Sequence, residues 1–240
     1  MTISTKGYVV IKNYLSDKEI SGIKGSFIPE LYEYPYSEES SPKVGYAEIN
    51  ETRILATAKE LTGKNYRAWY KKVSVKAAYE GYQEPYHQDF FYRKDAGISN
   101  DSYLQCFIAL DDLKYSTLNV FEESHKLGLL KHVIGLERNG FSKFRIPVDV
   151  LQDMQDKFTP LVLNKGDLVL FNYLLVHGSS SNSYPDSQYR AIIQLVEKDK
   201  EFSNIGKDFE YRKNIEISIL TKMLQDKVAN ITVPRGIPNK

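Results

Sequence analysis

The chain has 240 residues, enough for one large domain with a substantial core. Its 32 Lys and Arg stand against 31 Asp and Glu, and the resulting net charge of +1 gives no electrostatic footing for nucleic acid or an anionic membrane surface. No run approaches the roughly 20 apolar residues of a membrane span, the lone Cys106 excludes an internal disulfide, and the start MTISTKGYVVIKNYL lacks a signal-peptide pattern, so a cytoplasmic location is expected.

In chain order, GYVVI predicts a strand over Tyr8 to Ile11, and Ser16 with Glu19 three residues on marks the capped start of a helix. From Tyr34 to Asn50 no period is sustained and a loop is expected. A short helix over about Glu51 to Leu61 stops at Gly63. The texture then changes to period two. In Ala68 to Tyr79, Val73, Val75 and Ala77 share one face while Lys72, Ser74 and Lys76 share the other, as in a half-buried strand. Further strands are expected at His87 to Tyr92, Tyr103 to Leu110, Leu161 to Leu163, Leu168 to Tyr173 and Arg190 to Glu197. Ile215, Ile219 and Met223 fall four apart and predict an amphipathic helix over about Arg212 to Val228. The 18 Tyr and 11 Phe agree with a β-rich body. Many short strands between helical ends imply a closed or double-sheet β architecture with helical padding, not a doubly wound parallel sheet.

Chemistry enters at YHQDFFYRKD. Alternation along a strand projects His87 and Asp89 from one face, close enough to share an ion. H-x-D also occurs as ordinary polar punctuation, so a third ligand is required. Of the other histidines, His125 and His132 lie in a polar turn with nearby lysines. His177 follows the apolar run GDLVLFNYLLV and precedes a small polar turn, which makes it the better candidate. Two imidazoles and one carboxylate with open positions suit non-haem Fe(II) oxygen chemistry. Arg190 stands 13 residues on, and a half-buried guanidinium needs an anion: a dicarboxylate co-substrate, or an internal Asp111 or Asp167.

In sequence, HQD, LQCFIALDDL, SHK-x-G, GD-x-x-x-F, H-x-S-x-x-N and an Arg at the head of the last strand resemble the phytanoyl-CoA dioxygenase family of Fe(II)/2-oxoglutarate oxygenases, over about Val73 to Val196. The resemblance implies a mainly β fold with flanking helices, its core a double-stranded β-helix of the jelly-roll, cupin-like type. It makes the chain one domain, with a helical N-terminal part over about 1–65, the β core over about 66–197 and a helical extension over about 198–240. It implies His87, Asp89 and His177 as iron ligands, and Arg190 and Ser179 on the distal carboxylate of 2-oxoglutarate. Gln105 falls at a cofactor-lining position, with Lys72 a weaker candidate. The implied reaction consumes O2 and 2-oxoglutarate, releases succinate and CO2, and oxidises a C–H bond of a small-molecule substrate. The related halogenases have a small residue where Asp89 stands, so the carboxylate argues for hydroxylation or a related oxidation.

The chain departs from the family pattern where Thr117 replaces a turn glycine and Glu122-Glu123 replace Pro-Gly, at a loop expected to border the site mouth. Arg93, Lys94, Arg138, Lys143 and Arg145 could receive an anionic substrate group or form a solvated charged face. A zinc hydrolase could use the same three ligands around a bound water, and a non-catalytic cupin-like binder could keep the fold. Neither has a use for Arg190. The sequence leaves oligomeric state open.

Overall fold

Strand β1 (Tyr8–Ile11) follows a single helical turn, α1 (Ile3–Lys6), and leads into α2 (Asp17–Gly25). The capping box is complete: the Ser16 hydroxyl accepts the Glu19 N–H, and the Glu19 carboxylate accepts the Ser16 N–H at 2.8 Å. Helix α3 (Thr52–Thr62) ends where Gly63 adopts φ 74°, a left-handed conformation that costs glycine little. The computed structural model describes residues 3–29, 43–79, 83–136 and 142–201; the expected helix over 212–228 and Arg138 lie outside them.

The remaining strands are β2 (Ile28–Pro29), β3 (Lys43–Tyr46), β4 (Tyr66–Lys76), β5 (Glu84–His87), β6 (Tyr103–Ala109), β7 (Leu118–Phe121), β8 (Val133–Leu136), β9 (Ser142–Arg145), β10 (Phe158–Leu161), β11 (Leu168–Asn172), β12 (His177–Ser179) and β13 (Gln188–Glu197), with a short helix α4 (Val148–Gln152) before β10. They form a seven-stranded sheet in the order β1-β11-β6-β13-β4-β3-β2, a four-stranded sheet in the order β10-β7-β12-β5, and the hairpin β8-β9. Every pairing is antiparallel. The two main sheets make a jelly-roll core, the double-stranded β-helix that the motifs implied.

The central strands of the large sheet are buried on both faces. On its outer side Val73, Val75, Cys106, Ile108, Leu168 and Ile193 pack against Ile20 and Ile23 of α2 and Ile54 and Ala58 of α3. Each such side chain contributes roughly 1.5–3 kcal/mol through burial. On its inner side Phe107, Val169 and Phe171 meet Leu118 and Val120 of the small sheet. The polar face of β4, which alternation alone would turn to solvent, faces inward: Lys72, Ser74 and Lys76 line an internal cavity.

Three expectations are corrected. Only Glu84–His87 of the HQD stretch is strand, and Asp89–Tyr92 is a 3-10 turn, because the Phe90 N–H leaves the ladder to bond the Tyr173 carbonyl at 3.0 Å. The segment expected as loop up to Asn50 contains β3, whose four residues between β2 and β4 are too few to show a period. Leu161 ends a strand instead of starting one, since β10 pairs Phe158 to Leu161 with β7. Among the described residues no helix is long and apolar enough to cross a membrane.

Candidate metal centre

The small sheet places the two histidines. His177 on β12 sits directly opposite His87 on β5, and their rings are 4.4 Å apart. Gly178 makes this approach possible: a Cβ there would lie 2.7 Å from the Glu84 carbonyl oxygen and 2.9 Å from the Tyr86 ring. Asp89 opens the 3-10 turn, and extended backbone at Gln88 aims its carboxylate back toward both rings. One donor atom from each of His87, Asp89 and His177 lies within 4.8 Å of the others.

Orientation is fixed from behind. His87 Nδ1 lies 2.8 Å from the Pro85 carbonyl and His177 Nδ1 3.0 Å from the Leu175 carbonyl, so each Nδ1–H donates to backbone. Each Nε2 lone pair then faces Asp89, at 3.5 Å and 3.7 Å. Asp89 Oδ2 is buried without a hydrogen-bond partner among the described residues. A buried carboxylate whose two oxygens face two imidazole nitrogens calls for a cation, and this donor set fits iron. Burial opposes charge on all three groups. For His87 the Asp89 carboxylate outweighs it and holds the imidazole above its ordinary range. Burial and then the adjacent His87 lower His177. Burial would raise Asp89, but His177 and His87 outweigh it and keep this carboxyl below its ordinary range.

The triad borders a cavity of about 200 Å³ walled by the large sheet, and Gln105, Ser179, Arg190 and Lys72 all line it. Arg190 is 3 % exposed, and its Nη2 donates to Ser116 Oγ at 3.3 Å. The two carboxylates weighed as its internal partners are engaged elsewhere. Asp111 takes Lys24 and the Tyr189 N–H, while Asp167 takes Lys12 and the N–H groups of Asn13 and Asn164.

Lys76 is the residue that sequence reasoning passed over. It is 3 % exposed, and its ammonium donates to Ser179 Oγ at 2.9 Å and to the Ser180 carbonyl. The signal was a lysine on the same face as Lys72, read as solvent-facing. Thr117 also gains a reason: its hydroxyl and the Asn119 amide both meet Ser180 Oγ, steadying the turn that receives Lys76. Glu122 binds Lys6 and the Tyr8 hydroxyl, and Glu123 carries a left-handed φ of 65° where the family has glycine.

Of the other basic residues, Arg93 is buried with its guanidinium 4.4 Å from the Trp69 ring centroid, and Lys94 sits over Phe91; neither lines the cavity. Arg145 is exposed. His125 approaches the Ser4 carbonyl at 3.2 Å, and His132 Nε2 accepts the Gln88 N–H at 3.1 Å, so both stand outside the triad.

Residues 41–188 match the family model described as phytanoyl-CoA dioxygenase (PhyH). The chain belongs to the phytanoyl-CoA dioxygenase family. It is an Fe(II)- and 2-oxoglutarate-dependent oxygenase. No curated protein matches the sequence significantly. Solved structures agree on the fold. The non-heme alpha-ketoglutarate-dependent carbocyclase SnoK from nogalamycin biosynthesis shares 17 % identity at TM-score 0.64, over 88 % of this chain and 87 % of its own. EctD from S. alaskensis, solved with 2-oxoglutarate and 5-hydroxyectoine, shares 16 % identity at TM-score 0.61, over 84 % of this chain and 76 % of its own. EvdO2 from Micromonospora carbonacea var. aurantiaca, complexed with 2-oxoglutarate, shares 12 % identity at TM-score 0.59, over 84 % of this chain and 91 % of its own.

Proposed function

We propose that His87, Asp89 and His177 are the iron ligands of this oxygenase, and that Arg190, Lys76 and Ser179 receive the distal carboxylate of 2-oxoglutarate. The observation that carries the first assignment is the buried Asp89 carboxylate, its Oδ1 facing His87 Nε2 and its Oδ2 facing His177 Nε2 without a hydrogen-bond partner among the described residues, while both Nδ1 positions are already committed. The second rests on Arg190 and Lys76, two buried cations on adjacent strands of one cavity wall, with the Ser179 hydroxyl bonded to Lys76. Gln105 stands four residues along β6 from Ala109, the cross-strand neighbour of Arg190, so this end of the co-substrate is assigned without it.

Iron with 2-oxoglutarate and O2 supplies the oxidising power. The protein holds ligands, co-substrate and substrate in register and excludes water. Asp89 occupies the position a halide would need, which supports hydroxylation or a related C–H oxidation. The substrate is a small molecule: SnoN, of this fold, was solved with nogalamycin RO, and EctD with 5-hydroxyectoine. We also take the protein to act in the cytoplasm, without nucleic-acid or membrane partners; near-zero net charge and the buried, unpaired Cys106 support this.

Anaerobic addition of Fe(II) and 2-oxoglutarate should produce a weak visible charge-transfer band that His177→Ala abolishes. Loss of outer-shell partners already lowers metal affinity about 10–100-fold, so loss of a ligand should exceed about 100-fold in affinity or succinate formation. A colourless wild-type complex with measurable zinc affinity would favour the hydrolase.

A further inference from the structure

Two glutamines on the cavity wall carry an unmet demand. Gln105 on β6 and Gln194 on β13 are direct register partners, both line the cavity, and the side-chain oxygen of each is buried without a hydrogen-bond partner among the described residues. Gln105 as a whole is 5 % exposed. Cross-strand neighbours lie about 4.5–5.5 Å apart at Cβ, near enough for two carboxamides to satisfy each other. Neither oxygen nevertheless has a partner among the described residues.

Their position relates them to the metal centre. Gln105 is the register partner of Phe171, whose ring lies 4.8 Å from that of His177. The pair therefore begins one strand spacing, about 5 Å, from the side chain that touches a metal-ligand ring. Gln194 is also four residues along β13 from Arg190, about 13 Å of strand, so it stands toward the opposite end of the wall from the guanidinium.

We propose that Gln105 and Gln194 form a substrate subsite that takes hydrogen-bond donors, and that the substrate is a hydroxyl-bearing small molecule. The inference rests on the oxygenase reading above. 2-Oxoglutarate cannot satisfy these oxygens, because ionised carboxylates and a ketone are acceptors only. Donors must come from the other reactant. The lining is mixed in charge, with Lys72, Lys76 and Arg190 against Glu84 and Asp89, but an ammonium only donates, whereas a hydroxyl also accepts from the carboxamide N–H beside each oxygen. Hydroxyls remain, one for each oxygen, with Phe107 and Ile192 of the same wall available to the carbon skeleton. An alkyl acyl chain laid against this wall would leave both oxygens unpaired. A site built for hydroxyls rejects the analogue lacking them by roughly 10⁴–10⁵-fold.

Gln105→Met and Gln194→Met test this, because they keep side-chain length while removing the orphaned oxygens. Metal-loaded, substrate-free protein should melt at the same temperature as wild type or about 2–4 °C higher, and 2-oxoglutarate affinity, read from the charge-transfer band, should stay within about threefold. Succinate release by wild type should be accelerated by a pool of monosaccharides, methyl glycosides and inositols, and the Met variants should lose that acceleration. Lower melting of both Met variants would make the amides structural and overturn the inference. A tenfold loss of 2-oxoglutarate affinity would make them co-substrate contacts, and acceleration by decanoyl-CoA alone would also overturn it. If wild type binds neither Fe(II) nor 2-oxoglutarate, the oxygenase reading itself fails. If wild type binds both and only the variants lose 2-oxoglutarate, the donor subsite fails alone.

Discussion

In the large sheet β4 and β13 run side by side for ten register pairs, from Lys76–Gln188 to Tyr66–Glu197, whereas no strand of the small sheet exceeds four residues. The large sheet is held by backbone ladders and by an apolar layer against α2 and α3. The small sheet, which carries His87 and His177, is held by polar side chains reaching for the backbone. Gln88 donates to the Gly128 and Leu174 carbonyls at 2.9 and 2.7 Å and accepts the Leu130 N–H at 2.8 Å. Ser124 Oγ accepts the Val176 N–H at 2.8 Å, beside His177. Metal geometry is thus set by the small sheet, and a change in the apolar layer of the large sheet should cost stability without loosening the metal.

The largest effect is expected at Gln88, which is fully buried. Gln88→Leu leaves two carbonyls and one N–H without their partners, at about 1–3 kcal/mol each, so roughly 4 kcal/mol of stability should be lost in chemical denaturation. Fe(II) affinity should fall at least about tenfold, because the backbone between His87 and Asp89 loses its anchor. On the large sheet, Ile108→Ala removes a fully buried side chain from the layer against the helices and should cost about 3 kcal/mol. Its Fe(II) affinity should remain that of wild type. If Ile108→Ala loosens the metal as much as Gln88→Leu does, the two sheets act as one unit and the division fails.

The same contrast explains what could be read from sequence. The core strands β4, β6, β11 and β13 show through their alternation or apolar runs, and α2 and α3 through Ser16, Glu19 and Gly63. Strands β7 and β12 do not, because three or four residues cannot express a period and their pairing is fixed by distant partners such as Asn119 opposite Gly178. The ligand triad was legible because its chemistry is carried by residue types, H-x-D and a distant His, even though Asp89 proved to open a turn. Lys76 was not legible. A lysine alternating with valines reads as solvent-facing, and only closure of the barrel turns that face inward. Gln194 was silent for the same reason.

The smallest expected effect again discriminates between the sheets, through pH. His132 supports the small sheet as a neutral acceptor of the Gln88 N–H, stacked 4.2 Å from the Phe91 ring centroid. Burial lowers its pKa from 6.5 to about 4. The unfolded chain therefore binds more protons between those values, so His132's contribution is fully present above pH 6.5 and is lost progressively as pH falls toward 4. With partial exposure screening the effect, about 1 kcal/mol is expected across that window. His132→Gln keeps an acceptor but does not titrate, so the wild-type stability curve should fall more steeply than the variant's between pH 6.5 and 4.5 by about that amount. Parallel curves would mean that His132 does not couple protonation to folding, and the small sheet would then lose its distinguishing sensitivity to acid.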